Sequence, residues 1–108
     1  MAIKIGNIRT FKPDGSISIK VDRSSPLGNP YRMNSEIYRD AVCIKYDFMF
    51  YTKIKDKQDI FFIHELNRIV ELARTNDITL LCWCYPKRCH AETIKRYVED
   101  RLEKENSK

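Results

Sequence analysis

The residues best suited to chemistry lie together near the end of the chain, between Cys82 and His90. Cys89 stands between Arg88 and His90, and neighbouring positive charge lowers the pKa of a thiol and favours the reactive thiolate. His90 adds a side chain that exchanges a proton near neutral pH. This pattern predicts Cys89 and His90 as the candidate catalytic residues, with Cys89 as the nucleophile. The alternative is a buried cysteine beside a histidine that only forms a hydrogen bond at a helix start.

The same segment contains four side chains of the kinds that bind zinc: Cys82, Cys84, Cys89 and His90. Their spacing differs from that of structural zinc sites, and the adjacent residues Cys89 and His90 would have difficulty converging on one ion. Cysteines at alternate positions of a buried strand are also explained as small apolar side chains. We therefore predict no metal and no cofactor, with zinc on these four side chains as the alternative.

Positive charge precedes the helix that we predict after His90. Lys87 and Arg88 lie just before its start, where free backbone N–H groups and the positive end of the helix dipole favour an anion. Phosphate or carboxylate groups suit such a position. The pattern predicts that Lys87 and Arg88 bind an anionic ligand, and the alternative is that both face solvent in a turn.

A second unusual segment, rich in proline and glycine, occupies residues 24–32. Its two prolines restrict the backbone and Gly28 permits conformations closed to other residues, so the loop should have one defined shape. Its hydroxyl and amide groups could bind a sugar or base, and the ring of Tyr31 could stack on a ligand. We predict that Ser25, Gly28, Asn29 and Tyr31 contribute to a binding site. A purely structural turn is the alternative.

The elements that must position these segments follow from the apolar pattern. Alternation around Ile3 and from Ile17 to Val21 predicts two short strands, joined as a hairpin by the turn at residues 13–16. A first helix begins near Asn34 or Ser35. Its predicted buried face repeats at intervals of four and three residues and comprises Ile37, Ala41, Ile44, Phe48 and Tyr51.

A second helix is predicted after Asp59, which can cap it, with a buried stripe of Phe62, Leu66, Ile69 and Ala73. Residues 78–84 begin with a continuous apolar run, which indicates a central strand covered on both faces. A third helix follows with Ala91, Ile94, Val98 and Leu102 inward, and residues 103–108 should fray. The prediction is one α/β domain over residues 1–108, in the order β-β-α-α-β-α.

Composition narrows the class of protein. The chain has 108 residues, of which 43% are hydrophobic and 32% charged, enough to build one core. Its apolar runs are far shorter than the roughly 20 residues that cross a bilayer, and residues 1–6 lack the pattern of a secretory signal. We therefore expect no membrane span, a cytoplasmic location and reduced cysteines.

The charge of the chain favours an anionic partner. The formal net charge is +5, and residues 1–34 contain six basic and two acidic residues. Nucleic acid is a less favoured partner, because the basic residues are not interleaved with aromatic ones as in single-strand binding platforms.

Three motifs in the same order resemble those of a small family of domains of unknown function from bacteria and phages: Asn7-Ile8-Arg9, Ser25-Pro26-Leu27-Gly28-Asn29-Pro30 and Cys82-Trp83-Cys84-x-Pro86-x-x-Cys89-His90. The resemblance implies a compact α/β fold and a single site made from the two unusual segments. Members often continue the last motif with glycine and an acidic residue. Here Ala91-Glu92 stands instead, and Glu92 in the acidic role would orient Arg88 or His90.

Three functions therefore compete. The first is binding of a small anionic ligand, a nucleotide or a derivative of one, in a cleft between residues 24–32 and 84–92. The second is an enzyme, a hydrolase or transferase, that acts on such a ligand with Cys89 or His90. The third is a phage or mobile-element protein that binds and inhibits a host protein, through its basic first third or the aromatic cluster at residues 48–51. The oligomeric state stays open.

Overall fold

The computed structural model describes residues 2–106, in which the predicted α/β fold and the order β-β-α-α-β-α are confirmed. A short 3-10 turn, Glu36–Tyr38, leads into the first helix. The elements are β1 (Ile3–Asn7), β2 (Ile17–Lys20), α1 (Arg39–Asp56), α2 (Ile60–Ala73), β3 (Ile78–Cys82) and α3 (Ala91–Asn106).

The three strands form one parallel sheet in the order β1-β3-β2. Ile78 of β3 lies opposite Ile3 on one side and Ile17 on the other. The predicted hairpin between β1 and β2 is therefore wrong. The turn at residues 13–16 belongs instead to a connection that carries the chain from one edge of β3 to the other. Pairing on both sides satisfies the backbone groups along both edges of β3, which a hairpin of β1 and β2 would not do.

The predicted central strand is confirmed, and all five of its residues are buried. Ile78, Leu80 and Cys82 belong to the main apolar core. On the opposite face, Thr79 and Leu81 lie near Gly6, where the ring of Phe11 also packs. The strand ends at Cys82, two residues earlier than predicted, because Trp83 and Cys84 turn away towards α3.

The first helix is present, but it begins at Arg39, later than the predicted start near Asn34 or Ser35, and its orientation is not the predicted one. Ile37 is 80% exposed and Phe48 is 79% exposed, so the stripe expected in the core faces outward. Cys43, Tyr46 and Phe50 are buried instead, and they too recur at intervals of three and four residues. The helix continues through Lys53 and Lys55 to Asp56, and Lys57 ends it in a left-handed conformation.

The other two helices match their predicted faces. The side chain of Asp59 accepts a hydrogen bond from the Phe62 N–H at 3.1 Å and so caps α2 as expected. The predicted buried residues of α2 are in the core: Phe62, Leu66, Ile69 and Ala73. In α3, Ala91, Ile94 and Val98 are buried and Leu102 is partly buried. This helix continues to Asn106, through most of the segment expected to fray, and residues 107–108 lie outside the described residues.

None of the helices within residues 2–106 is both long enough and apolar enough to cross a membrane.

Candidate functional site

The two unusual segments of the sequence meet at one edge of the sheet. Because all three strands are parallel, their carboxyl ends, at Asn7, Lys20 and Cys82, lie on the same side. The proline loop (residues 24–32) follows β2, and the cysteine turn (residues 84–92) follows β3 and contains the start of α3. Open parallel sheets commonly bind ligands at this edge.

A cleft of about 450 Å³ lies between the proline loop and the cysteine turn. Five of the predicted site residues line it together: Asn29, Tyr31, Arg88, Cys89 and His90. The predicted union of the two segments is thus present in the geometry. The other four predicted residues are not among those that line the cleft, and they have other contacts within residues 2–106.

Those four residues have other contacts and do not themselves line the cleft. The Ser25 hydroxyl accepts a hydrogen bond from the Leu27 N–H at 3.1 Å. A Cβ on Gly28 would lie 2.5 Å from the Asp22 carbonyl oxygen, so only glycine fits there. Lys87 pairs with Glu36 at 3.4 Å, at the exposed surface. Glu92 accepts a hydrogen bond from the Cys89 N–H at 3.1 Å, as in a capping box, so it caps α3.

The proline loop is fixed from inside the protein. Leu27 is fully buried, and its carbonyl oxygen accepts a hydrogen bond of 2.7 Å from the hydroxyl of Tyr46 on α1. The Asn29 side chain accepts the Tyr31 N–H at 2.9 Å, so its amide shapes the loop. The Arg23 guanidinium donates to the Asn29 carbonyl at 3.1 Å. These bonds hold Tyr31 against the cleft.

The segment after β3 is tied to both neighbouring strands. The Asn7 side chain donates to the carbonyl oxygens of Trp83 and Tyr85, at 3.0 and 2.9 Å. The Trp83 ring N–H donates to Asp22, just after β2, at 3.0 Å. Trp83 also lines the cleft and is 55% exposed. Sequence reasoning assigned Trp83 no role of its own, although a lone tryptophan at the end of a central strand was a usable signal.

Arg39, from the start of α1, is a cleft residue that the sequence did not reveal. Its guanidinium donates to both carboxylate oxygens of Glu36 and to the Arg88 carbonyl at 2.9 Å. The hydrogen bonds to Glu36 raise the pKa of Arg39 above the ordinary value for arginine. Arg23, Arg39 and Arg88 thus bring three positive charges to the cleft, where Asp22 is the acidic residue among those that line it.

Cys82 and Cys89 form a close buried pair, with their sulfur atoms 3.0 Å apart. The pKa of Cys82 is lowered to about 6. The largest cause of the lowering is the hydrogen bond with Cys89, and the backbone N–H groups of Tyr85 and Cys84 add to it. The same bond, together with burial, raises the pKa of Cys89. The lowered pKa predicted for Cys89 is not found, because the contact with the Cys82 sulfur and burial both raise it. The role of Cys89 as a nucleophile stays a prediction.

His90 is buried between β2 and α1. A ring nitrogen, Nε2, donates to the Val21 carbonyl oxygen, and the ring packs edge-on against Tyr46 with 5.0 Å between centroids. Burial lowers the pKa of His90, so the imidazole is neutral at pH 7. This arrangement resembles the hydrogen-bonding alternative considered for His90, and its catalytic role stays a prediction.

The side chains considered for zinc do not converge. Cys82 and Cys89 contact each other, while His90 is directed at the Val21 carbonyl. Across residues 2–106, no cluster of three or more His, Cys, Asp or Glu side chains is placed to share a metal ion.

Comparison with known proteins identifies one match. A family model described as a domain of unknown function (DUF4326) matches residues 7–100, a span that includes the proline loop and the cysteine turn. No curated protein and no solved structure matches the chain.

Proposed function

We propose that this chain, which belongs to the DUF4326 family of domains of unknown function, binds a small anionic ligand with a planar ring, of the nucleotide class. The ligand would lie in the cleft between the proline loop and the cysteine turn. The observation that carries the proposal is the lining of this one cleft: three arginines and two partly exposed aromatic rings, Tyr31 and Trp83.

Size and position support a small-molecule site. A volume of about 450 Å³ lies within the range of roughly 300–1,000 Å³ that is typical of such sites. The cleft also lies at the carboxyl edge of a parallel sheet, where ligands of open α/β folds bind.

Charge supports an anionic ligand. The hydrogen bonds of Arg23 go to two backbone carbonyls, of Asn29 and Tyr31, which leave its positive charge in the cleft. Arg88 pairs with Asp40 at 3.0 Å, but both side chains are well exposed. Such a surface pair contributes only about 0–1 kcal/mol, so a ligand phosphate can replace Asp40 at little cost.

The start of α3 is less available to an anion than the sequence indicated. Glu92 already accepts the N–H of Cys89 there, and its negative charge opposes a phosphate at that position. We therefore place the ligand phosphate at Arg23 and Arg88 rather than at the helix start. Tyr31 and Trp83 would contact its ring, since aromatic side chains stack on planar ligands.

Binding is measured through Trp83, the only tryptophan of the chain. Its fluorescence is titrated with AMP, ADP, ATP, NAD and ribose 5-phosphate, with thermal unfolding as the second readout. We expect saturable quenching and a higher melting temperature with at least one nucleotide. No change with any of these compounds at millimolar concentration would overturn the proposal.

Two arginine variants locate the ligand. Arg88→Gln removes a charged hydrogen-bond donor, worth about 1.5–3 kcal/mol, so affinity should fall at least tenfold. Arg68→Gln is the matched control, because Arg68 is also an exposed arginine paired with a carboxylate, Glu65 on α2, and does not line the cleft. Equal affinity in the two variants would place the ligand elsewhere.

A further inference from the structure

We propose that Cys82 and Cys89 form a redox-active dithiol, a modification site that closes reversibly to a disulfide when a peroxide enters the cleft. This inference does not depend on the proposed ligand. It rests on the placement of the two thiols, one at the end of β3 and the other at the cap of α3.

Proximity is the first argument. The two sulfur atoms are 3.0 Å apart and the residues are seven positions apart in the chain. A disulfide has a sulfur–sulfur distance of about 2.05 Å, so closure needs a movement of about 1 Å. The cysteine turn between them can supply that movement without breaking the pairing of β3 with β1 and β2.

Polarisation is the second argument. The Cys82 sulfur accepts the backbone N–H groups of Tyr85 and Cys84 and shares a proton with the Cys89 sulfur. The Cys89 sulfur accepts the N–H of Ala91 at the start of α3. These donors favour one thiolate shared between the two sulfurs, and thiolate is the form that attacks a peroxide.

Access is the third argument. Cys82 is fully buried, but Cys89 lines the cleft with a small exposed fraction. A small oxidant such as hydrogen peroxide can reach this sulfur, whereas larger reagents cannot enter as easily. Cys84 is half-buried and also lines the cleft, beside the Arg39 guanidinium. Cys84 is a more accessible thiol outside the close pair, so its oxidation can be compared with that of Cys82 and Cys89.

The reaction balances with hydrogen peroxide as the oxidant. When the shared proton lies on Cys82, the Cys89 sulfur is the thiolate. It attacks one peroxide oxygen, the O–O bond breaks, and the hydroxide that leaves takes the proton of Cys82 to become water. The Cys82 thiolate formed in this way attacks the sulfenic sulfur, the S–S bond forms, and the hydroxide that leaves takes a proton from solvent to become the second water. The dithiol loses two electrons and two protons, and one peroxide becomes two waters.

The test uses the full chain, reduced and then treated with a slight excess of hydrogen peroxide. Free thiols are then alkylated, and the protein is analysed by mass spectrometry before and after digestion with trypsin. We expect two of the four cysteines to escape alkylation and the unalkylated mass to fall by about 2 Da. Trypsin cuts after Lys87 and Arg88, so the disulfide should join two peptides, and dithiothreitol should release them.

Cys82 and Cys84 lie in the same tryptic peptide, residues 75–87, and Cys89 lies in the peptide 89–95. In the Cys84→Ser variant, a link between these peptides must therefore join Cys82 to Cys89. Cys43→Ser should also retain the link, and Cys89→Ser should lose it. Four alkylated cysteines after peroxide, a link from Cys84 to Cys89 instead, or a link that survives in Cys89→Ser would each overturn the proposal. The mapping of the unmodified sequence decides the question even where a variant folds poorly.

Discussion

The helices α1 and α2 both have apolar residues at helical spacing, but only in α2 is the predicted apolar stripe buried in the core. In α2 the apolar stripe from Phe62 to Ala73 is buried, and charged residues such as Glu65 and Arg68 form an ion pair on another side. Ile60 and Phe61, in the first turn, are exposed. Beyond that turn, one continuous apolar stripe leaves a single favourable orientation.

The helix α1 carries two apolar stripes. One faces outward and comprises Ala41, Ile44, Phe48 and Tyr51, in line with Ile37 of the preceding 3-10 turn, whereas Tyr46 and Phe50 face the core. The buried stripe is selected by its partners. Phe50 packs against Phe62 with ring centroids 5.3 Å apart, and Tyr46 bonds to the proline loop. Periodicity therefore identifies a helix, but a helix with two apolar faces is oriented by what lies beside it.

The largest expected change in unfolding free energy comes from a substitution on the buried face of α1, compared with one on its exposed face. Phe50→Ala removes a fully buried ring and should destabilise the protein by about 3–5 kcal/mol. Phe48→Ala changes an exposed ring and should stay within about 0.5 kcal/mol. Urea unfolding of both variants measures the difference. Similar losses of stability would mean that the outward stripe is buried in solution.

A smaller effect is expected from the hydroxyl of Tyr46. Tyr46→Phe keeps the ring but leaves the Leu27 carbonyl without this donor, which should cost about 1–3 kcal/mol. Tyr38→Phe is the control, because Tyr38 precedes the same helix and is exposed. Equal stability of the two variants in urea would contradict a structural link from α1 to the proline loop.

The smallest effect concerns the helix caps. Asp59→Ala removes the hydrogen bond to the Phe62 N–H and should cost about 1 kcal/mol. Ser35 makes no such side-chain bond before α1, so Ser35→Ala should change the unfolding free energy by less than about 0.5 kcal/mol. Thermal and urea unfolding measure the stability of the Asp59→Ala and Ser35→Ala variants.

The cap of α2 also has a predicted pH dependence. The hydrogen bonds from Lys53 and Phe62 lower the pKa of Asp59 below its ordinary value of 3.8. A carboxyl with a lowered pKa in the folded state stabilises the protein above its unfolded pKa, and this contribution is lost as the pH falls through the lowered value. The stability gap between the native chain and Asp59→Ala should therefore narrow below about pH 4. A gap that is constant between pH 6 and pH 2 would contradict this.

The candidate site was predictable in part. Asn29, Tyr31, Arg88, Cys89 and His90 were marked by their neighbours in the chain, and all five line the cleft. Arg39 and Trp83 were missed as site residues. Arg39 reaches the Arg88 carbonyl across 49 positions of sequence, and Trp83 reaches Asp22 across 61. The position of Trp83 at the end of the central strand was a signal, but no local spacing predicts the partners that these two residues contact. The direction of the Cys89 pKa shift was also missed, because it depends on burial and on the contact with the Cys82 sulfur.

The sequence by itself determined what depends on residues close together in the chain. These features are the helices, the Asp59 cap, the central strand and the turn chemistry of the two unusual segments, since each rests on local periodicity, capping or backbone restriction. The tertiary structure decided that β1 and β2 take opposite edges of β3, which side of α1 is buried, and how the Cys82–Cys89 pair shares its proton. Burial and hydrogen bonding depend on partners that are distant in sequence, and such partners are brought together only by folding.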